Sequence, residues 1–182
     1  QISLMKDEKA KSELEVDVNE MTSMLDSYVS FVKTESPEPI ETIIINELIG
    51  DIVKTVEKNG VELTIKEKNT IQTSGRQIQL KRAFNNIIDN SQRYAKKIEI
   101  ILYTNEKDCV IEFNDNGEGI PRDKYEDVFK PFFTLDPSRN KLKGESGLGL
   151  TITRDIIRSH GGDVKLSDSN LGGLQLKVLL PL

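Results

Sequence analysis

The chain has 182 residues, of which 36% are hydrophobic and 30% charged, and its formal net charge is −5. This composition is typical of a globular protein with one ordinary domain and a smaller segment. The negative charge argues against nucleic acid as a partner, because no overall positive field attracts a phosphate backbone. No apolar run approaches the roughly 20 residues that cross a bilayer. The single cysteine, Cys109, cannot form an internal disulfide and favours a reducing compartment.

The N-terminal segment predicts a helix with a narrow apolar seam. Its apolar residues recur at alternating intervals of four and three positions, as in a coiled coil. The seam comprises Leu14, Val18, Met21, Leu25, Tyr28 and Val32. We expect residues 1–35 to belong to a helical hairpin that dimerises, although an amphipathic helix packed on its own domain fits the same seam. The prolines of SPEP, at 36–39, end the helix and mark a domain boundary.

Residues 40–182 predict strands and helices in mixed order. Alternating or β-branched runs predict strands at 40–45, 61–66, 71–73, 97–104, 109–114, 163–167 and 174–180. Helical periodicity predicts helices over 47–58, 81–94 and about 148–160. Asn46 is expected to cap the first of these helices. This order favours the α+β class, as a two-layer α/β sandwich with one sheet covered by helices.

The predicted helix over 81–94 carries polar residues beside its apolar stripe. Asn86 and Asn90 are four positions apart, so they share one helix face, and Arg93 and Tyr94 follow in the next turn. Amide oxygens suit a hard cation such as Mg²⁺, which prefers oxygen ligands. A plain solvated face is the alternative interpretation of the two asparagines.

The segment NDNGEGIP at 114–121 places a glycine turn at the end of a predicted strand. Gly117 and Gly119 lack Cβ atoms, so the backbone there can bend sharply and approach a flat ligand closely. Asp115 accepts hydrogen bonds when ionised and suits an amino group such as that of adenine. Ile120 offers an apolar surface to a ring. An ordinary Asx–Gly turn is the alternative.

A second glycine loop, GESGLGLTITRDII at 144–157, runs directly into a predicted helix. Free N–H groups at a helix start bind phosphate oxygens, helped by the helix dipole. Gly147 and Gly149 allow close approach, and Ser146 adds a hydroxyl. The spacing matches neither a P-loop nor a dinucleotide-binding fingerprint.

The segment FKPFFTLDPSRNKLK, at 129–143, lies between the two glycine loops. We expect its aromatic residues, Phe129, Phe132 and Phe133, to anchor a nucleobase. A long polar loop of this kind is usually a lid or disordered. The cations that would close over a polyphosphate are Lys130, Arg139, Lys141 and Lys143. A solvated charged loop is the alternative for each of them singly.

The only histidine, His160, precedes Gly161 and Gly162 at the end of the last predicted helix. This sequence is a helix C-cap signature, and a histidine there complements the helix dipole. We therefore expect a structural role for His160 and not a catalytic one.

Taken in order, these motifs resemble the ATP-binding catalytic domain of bacterial sensor histidine kinases. The matching boxes are NNIIDN at 85–90, DNGEGI at 115–120, FKPFF at 129–133 and GLGL at 147–150. The resemblance covers about 40–182, including a C-terminal hairpin like that of the family. Residues 1–35 resemble the rear part of the dimerisation and histidine-phosphotransfer hairpin. Four boxes in order are far more specific than any single one.

The resemblance implies a role for each box. Asn90 would bind Mg²⁺ with Asn86 beside the phosphates, and Asp115 would bind the adenine amine, with Tyr94 stacked on the ring. Arg93 would contact phosphate. The implied ATP-binding residues are Asn86, Asn90, Arg93, Tyr94, Asp115, Gly117, Gly119, Ile120, Phe132, Ser146, Gly147, Leu148, Gly149 and Leu150.

The implied activity is transfer of the ATP γ-phosphoryl group to a histidine, for relay to a response regulator. The resemblance further implies a homodimer, a cytoplasmic position for this fragment, and a parent protein anchored in the bacterial inner membrane. Two departures stand out: Thr134 replaces an arginine found after the phenylalanine box in some members, and no histidine precedes His160. We therefore expect the acceptor upstream of Gln1 and no self-phosphorylation of this fragment.

Two other functions fit parts of the pattern. Gyrase-like, chaperone-like and mismatch-repair ATPases share the fold, but they resemble ExxxN in this helix, where the glutamate activates water. Asn86 holds that position here and cannot take a proton, which favours the kinase. A non-catalytic module kept for dimerisation or partner binding is the third hypothesis, and the intact glycine boxes argue against it.

Overall fold

The computed structural model describes residues 38–55, 60–135 and 147–182, together with Val18 and Thr22. The elements are β1 (Glu41–Ile44), α1 (Ile45–Thr55), β2 (Glu62–Glu67), β3 (Gln72–Gly75), α2 (Gln77–Tyr94), β4 (Lys97–Thr104), β5 (Asp108–Asp115), α3 (Gly149–Ser159), β6 (Asp163–Asp168) and β7 (Leu174–Pro181). Two short 3₁₀ turns, Arg122–Lys124 and Asp127–Phe129, lie between β5 and α3. Apart from Val18, the predicted heptad seam lies outside the described residues.

Five of the strands form a mixed sheet in the order β2-β4-β5-β7-β6. β2 is parallel to β4, and the other neighbouring pairs are antiparallel. A parallel pair needs a long crossover connection, which β3 and α2 provide. β1 and β3 pair antiparallel in a separate two-stranded sheet. The predicted α+β class, with a sheet packed against helices, is confirmed.

The core lies between one face of the large sheet and the helices. Side chains alternate along each strand, so Ile98, Ile100 and Leu102 of β4 all face the helices and are fully buried. Phe113 of β5 meets Phe84 of α2, with ring centroids 6.1 Å apart. Each such side chain contributes about 1.5–3 kcal/mol by leaving water. Burial of the apolar stripe sets the orientation of α2 about its own axis. Asn86 and Asn90 therefore lie at the border of the stripe, half-buried.

The start of α2 is capped by groups distant in sequence. Arg76, the N-cap residue, provides no side-chain cap of its own. Instead the Glu38 carboxylate accepts hydrogen bonds from the N–H groups of Ile78 and Gln79. A carboxylate at this end also complements the helix dipole. The segment that precedes β1 is thereby attached to the first turn of α2.

The predicted capping role of Asn46 is wrong. α1 begins at Ile45, so Asn46 lies within its first turn. The side-chain oxygen of Asn46 accepts a hydrogen bond from Ile71 N–H at 2.8 Å, and its nitrogen donates to Asn69 O at 3.2 Å. An amide can satisfy a donor and an acceptor at once, and here it holds the loop that leads into β3.

Candidate functional site

The amide-bearing face of α2 runs between two loops. Asn86 and Asn90 are half-buried, and Tyr94, one turn further along the same face, is 41% exposed. The Asn86 side-chain nitrogen donates to the carbonyl of Gly149, the first residue of α3, at 3.2 Å. Among the described residues, nothing forms a hydrogen bond with the Asn90 amide. The middle of α2 is thus attached to the start of α3, and the Asn90 oxygen is available to a ligand.

The loop after β5 folds against the other end of α2. The Asn116 side-chain oxygen accepts hydrogen bonds from the N–H groups of Lys96 and Lys97, at 2.9 and 2.8 Å. A Cβ atom added to Gly117 would lie 2.9 Å from the carbonyl oxygen of Tyr94, so only glycine allows this approach. Asp115 and Tyr94 are therefore neighbours, at the same end of the face that carries Asn90.

The Asp115 carboxylate is buried, with only 5% of the residue exposed, and it is held through one oxygen. Oδ1 accepts two backbone hydrogen bonds, from Gly117 at 2.9 Å and from Leu174 at 3.0 Å. Within the described part of the chain, Oδ2 accepts none. Oδ2 is not among the fully buried polar atoms that lack a partner, so it is accessible to a ligand that donates a hydrogen bond.

The start of α3 presents its first backbone N–H groups beside Asn86. Helical hydrogen bonding begins with Ile152 N–H donating to Leu148 O, and the preceding N–H groups have no intrahelical partner. The Leu148 side chain is 7% exposed and belongs to the core, and Leu150 packs against it. Gly147 has a left-handed φ of 63°. The second glycine box therefore offers main-chain groups and not side chains.

The structure divides the predicted aromatic cluster between the core and the surface. Phe129 is buried, and the Arg154 guanidinium lies 4.4 Å from its ring centroid. Phe133 is partly buried against the core, whereas Phe132 is 57% exposed with φ of 62°. Phe132 N–H donates to Gly147 O at 3.0 Å. The three rings do not form one surface for a base, because α3 covers Phe129, and a nucleotide contact by Phe132 stays a prediction.

Other predicted residues are partly placed by the structure. Gly119 has a left-handed φ of 71°, and Ile120 packs against the core beside it. Arg93 is exposed at the end of α2. Lys130 contacts Asp127 at 2.6 Å, and this hydrogen bond lowers the pKa of the Asp127 carboxyl. Ser146 and the predicted lid cations Arg139, Lys141 and Lys143 lie outside the described residues.

The tip of the β6–β7 hairpin is a part of the site that sequence reasoning missed. Gly173 N–H donates to the Asp115 carbonyl at 3.1 Å, beside the bond from Leu174 to the carboxylate. Gly172 and Gly173 are a turn signal in the sequence. Nothing in the local sequence indicates that this turn contacts Asp115, because the two segments are far apart along the chain.

His160 caps α3, as predicted, and both of its ring nitrogens are engaged. Nδ1 lies 2.7 Å from Ile156 O and therefore carries the proton, and Nε2 accepts a hydrogen bond from Arg76 N–H at 3.0 Å. Burial lowers the pKa of the imidazole below its ordinary value. The ring is thus neutral near pH 7 and joins the end of α3 to the start of α2, which is a structural role.

A protein-family comparison decides the class of this domain. The model described as "Histidine kinase-, DNA gyrase B-, and HSP90-like ATPase" matches residues 75–182. This chain belongs to that ATPase family. The matched range contains the amide face of α2, both glycine boxes and the β6–β7 hairpin, and ATP is the nucleotide of this ATPase domain.

Relatives of this ATPase domain are sensor histidine kinases. GtrS of Pseudomonas aeruginosa is 29% identical, in an alignment that covers 99% of this chain and 37% of the relative. CpxA of Escherichia coli K12 is 30% identical and is aligned over 96% of this chain and 40% of its own length. The chain thus spans about two fifths of these relatives.

Solved structures share the fold. The mycobacterial sensor histidine kinase MprB superposes with a TM-score of 0.69 at 24% identity, over 79% of this chain and 97% of that one. The catalytic domain of histidine kinase ThkA gives a TM-score of 0.68 at 22% identity, over 79% of this chain and 95% of that one.

Among the described residues, no helix is both long and apolar enough to cross a bilayer.

Proposed function

We propose that this chain is the ATP-binding catalytic part of a sensor histidine kinase. In this proposal residues 40–182 are the catalytic domain and residues 1–35 the rear of a dimerising helical hairpin. The ATP γ-phosphoryl group passes to a histidine other than His160. The observation that carries the proposal is the arrangement along one face of α2. Asn86 on this face contacts the start of α3. Tyr94, about 12 Å further along the helix axis, lies beside the loop that carries Asp115.

The Asp115 end suits the adenine base. Oδ2 of Asp115 is the acceptor for the exocyclic amine, since Oδ1 already accepts two N–H groups. Gly117 and Gly119 keep this region free of side chains, and Ile120 adds apolar surface. Tyr94, 41% exposed, is the ring that stacks on the base.

The Asn86 end suits the triphosphate. The first N–H groups of α3 and its dipole attract phosphate oxygens. Arg93 lies next to Tyr94, towards the base end of α2, and its exposed positive charge is a further phosphate contact in this proposal. Asn90 fits a Mg²⁺ ion, because its half-buried amide oxygen is a hard ligand with no other partner in the described chain. When bound, Mg²⁺ neutralises charge on the triphosphate. The residues of this chain then bind and orient the phosphates.

Phosphoryl transfer to histidine needs no base from this domain. A neutral imidazole is already nucleophilic, so catalysis consists of positioning and charge stabilisation. Hydrolysis is the competing function, and it needs a group that activates water. Asn86 cannot accept a proton, and its amide nitrogen is bound to Gly149 O. This contact favours the kinase over an ATPase of the gyrase type.

Incubation with γ-labelled ATP and Mg²⁺ tests the proposal. This chain alone should acquire no acid-labile label, because both nitrogens of His160 are engaged. An added helical hairpin from the same parent protein, carrying its histidine, should be labelled. Phosphate release as the main product would instead support the ATPase. Label on this chain that disappears in His160→Gln would overturn the assignment of the acceptor.

The remaining assignments rest on the family resemblance. A response regulator as the next phosphoryl acceptor, a second subunit joined through the helical hairpin, and a parent anchored in the bacterial inner membrane with this domain on the cytoplasmic side all stay predictions. They concern parts of the molecule that the described residues do not include.

A further inference from the structure

We propose that the backbone at Gly173 and Leu174 sets the nucleobase specificity of the site by fixing the Asp115 carboxylate. The proposal rests on the function proposed above, since it takes Asp115 as the group that contacts the base. It adds a positioning element on the β6–β7 hairpin, which is far from both glycine boxes in the sequence.

Hydrogen bonds define how the hairpin holds Asp115. Leu174 N–H donates to Oδ1 at 3.0 Å, and Gly173 N–H donates to the main-chain carbonyl of Asp115 at 3.1 Å. Gly117 N–H donates to the same Oδ1 at 2.9 Å. The carboxylate is therefore held on one oxygen by rigid backbone donors, and Oδ2 is the only carboxylate oxygen left for a ligand. A fixed acceptor selects bases that present a donor at that position.

Close packing makes glycine necessary at position 173. A Cβ atom there would lie 2.3 Å from Asp115 Oδ1, 2.4 Å from Gly117 N and 2.7 Å from Asp115 O. Two of these neighbours are main-chain atoms, which cannot rotate away as a side-chain tip does. Any side chain at 173 must therefore displace the carboxylate or the first glycine turn. Gly173 acts through Asp115 and makes no contact with the base itself.

The test compares ATP with inosine triphosphate, which lacks the exocyclic amine, by calorimetric titration. The parent chain should prefer ATP by roughly tenfold or more, as expected for one hydrogen bond to a charged group. Gly173→Ala should weaken ATP binding and leave the inosine nucleotide nearly unchanged, so that the ratio approaches one. A merely structural role would lower both affinities by the same factor and keep the ratio, which would overturn the proposal.

Gly50→Ala is the matched control. A Cβ atom at Gly50 of α1 would have no neighbour within 4 Å, so this variant should keep both affinities. If Gly173→Ala does not fold, a chain with a backbone ester in place of the Leu174 amide answers the same question. It removes the N–H that donates to Oδ1 and keeps the leucine side chain in the core, although it also weakens the Gly173 carbonyl that accepts a hydrogen bond from Ser169 N–H.

The outcomes separate this proposal from the one on which it rests. A parent chain that binds neither nucleotide contradicts the proposed function. A parent that binds both with equal affinity contradicts the contact between Asp115 and the adenine amine, and with it the role of the hairpin. A parent that prefers ATP, with a ratio that stays the same in Gly173→Ala or in the Leu174 ester, leaves the proposed function intact and overturns the role of the hairpin. A lower ratio in the variant, with both affinities kept in Gly50→Ala, supports it.

Discussion

The two ends of the α2 face differ in how their polar groups are satisfied. At the base end, main-chain donors from its own glycine turn and from the β6–β7 hairpin hold Asp115, and close packing requires glycine at 117 and 173. At the phosphate end, Asn86 has one bond to the start of α3, and the described residues leave the Asn90 amide unbonded. The polar groups of the base end are therefore already in place before a ligand binds. At the phosphate end, we expect the ligand and its metal to supply the missing partners.

This difference predicts that substitutions at the base end change which nucleotide binds, whereas substitutions at the phosphate end change how binding depends on metal. The first effect should be the larger, because the Asp115 carboxylate is charged and is held in one orientation by backbone donors. Groups outside the site that join α2 to a neighbouring element, such as His160, should affect the stability of the fold and not the nucleotide selectivity.

The largest effect is expected for Asp115→Asn. An amide at this position can keep the two backbone bonds on its oxygen, but it then presents an N–H₂ group to the adenine amine, so donor faces donor. ATP affinity should fall by roughly a hundredfold, and the preference over GTP should weaken. Isothermal calorimetry with both nucleotides measures this. Asp155→Asn, at an exposed position of α3, is the control. Equal ATP and GTP affinities in the parent chain would contradict the assignment of Asp115 as the group that recognises adenine.

A smaller effect is expected for Asn90→Ala. The variant loses a metal ligand and no hydrogen bond to the described chain, so the fold should persist. The gain in ATP affinity on adding Mg²⁺ should shrink by roughly tenfold or more, whereas binding without the metal should change little. Asn85→Ala, five residues earlier and on another helix face, should keep the full Mg²⁺ effect. The same Mg²⁺ dependence in both variants and the parent would refute the metal role.

The smallest effect is a pH dependence of stability from His160. The folded protein lowers the pKa of His160 below its ordinary value of 6.5, so the unfolded chain takes up the proton first. The stabilisation is complete above that value and is lost as the pH falls through the lower folded pKa. Protonation of Nε2 also breaks the bond from Arg76 N–H.

Denaturant unfolding at pH 7 and pH 5 measures this loss, which should be on the order of 1 kcal/mol. Among the groups near the ring, Arg76 lowers the pKa further, and Glu38 and the bond to Ile156 O oppose that shift. In His160→Gln the change between the two pH values should be smaller, because the side chain no longer titrates. An identical change in both proteins would show that other groups cause it.

The sequence was sufficient for the parts of the fold and site that depend on local pattern. The alternation of β4 and β5, the stripe of α2 and the glycine turn after Asp115 all follow from residues near one another. Contacts between distant segments were not predictable in this way. The capping of α2 by Glu38, the use of Asn46 on the loop before β3 and the packing of Gly173 against Asp115 depend on which segments meet. The burial of Phe129 was not predictable for the same reason, since it depends on α3 covering the ring.

The most direct test of the account is an NMR titration of this chain with a non-hydrolysable ATP analogue and Mg²⁺. The side-chain amide signal of Asn90 and the backbone amide signal of Gly117 should shift together, with one shared dissociation constant. The two signals should follow one binding curve because a single nucleotide contacts both ends of the α2 face. A shift at Gly117 with Asn90 unchanged, or two different constants, would contradict a single site that holds base and metal-bound phosphates at once.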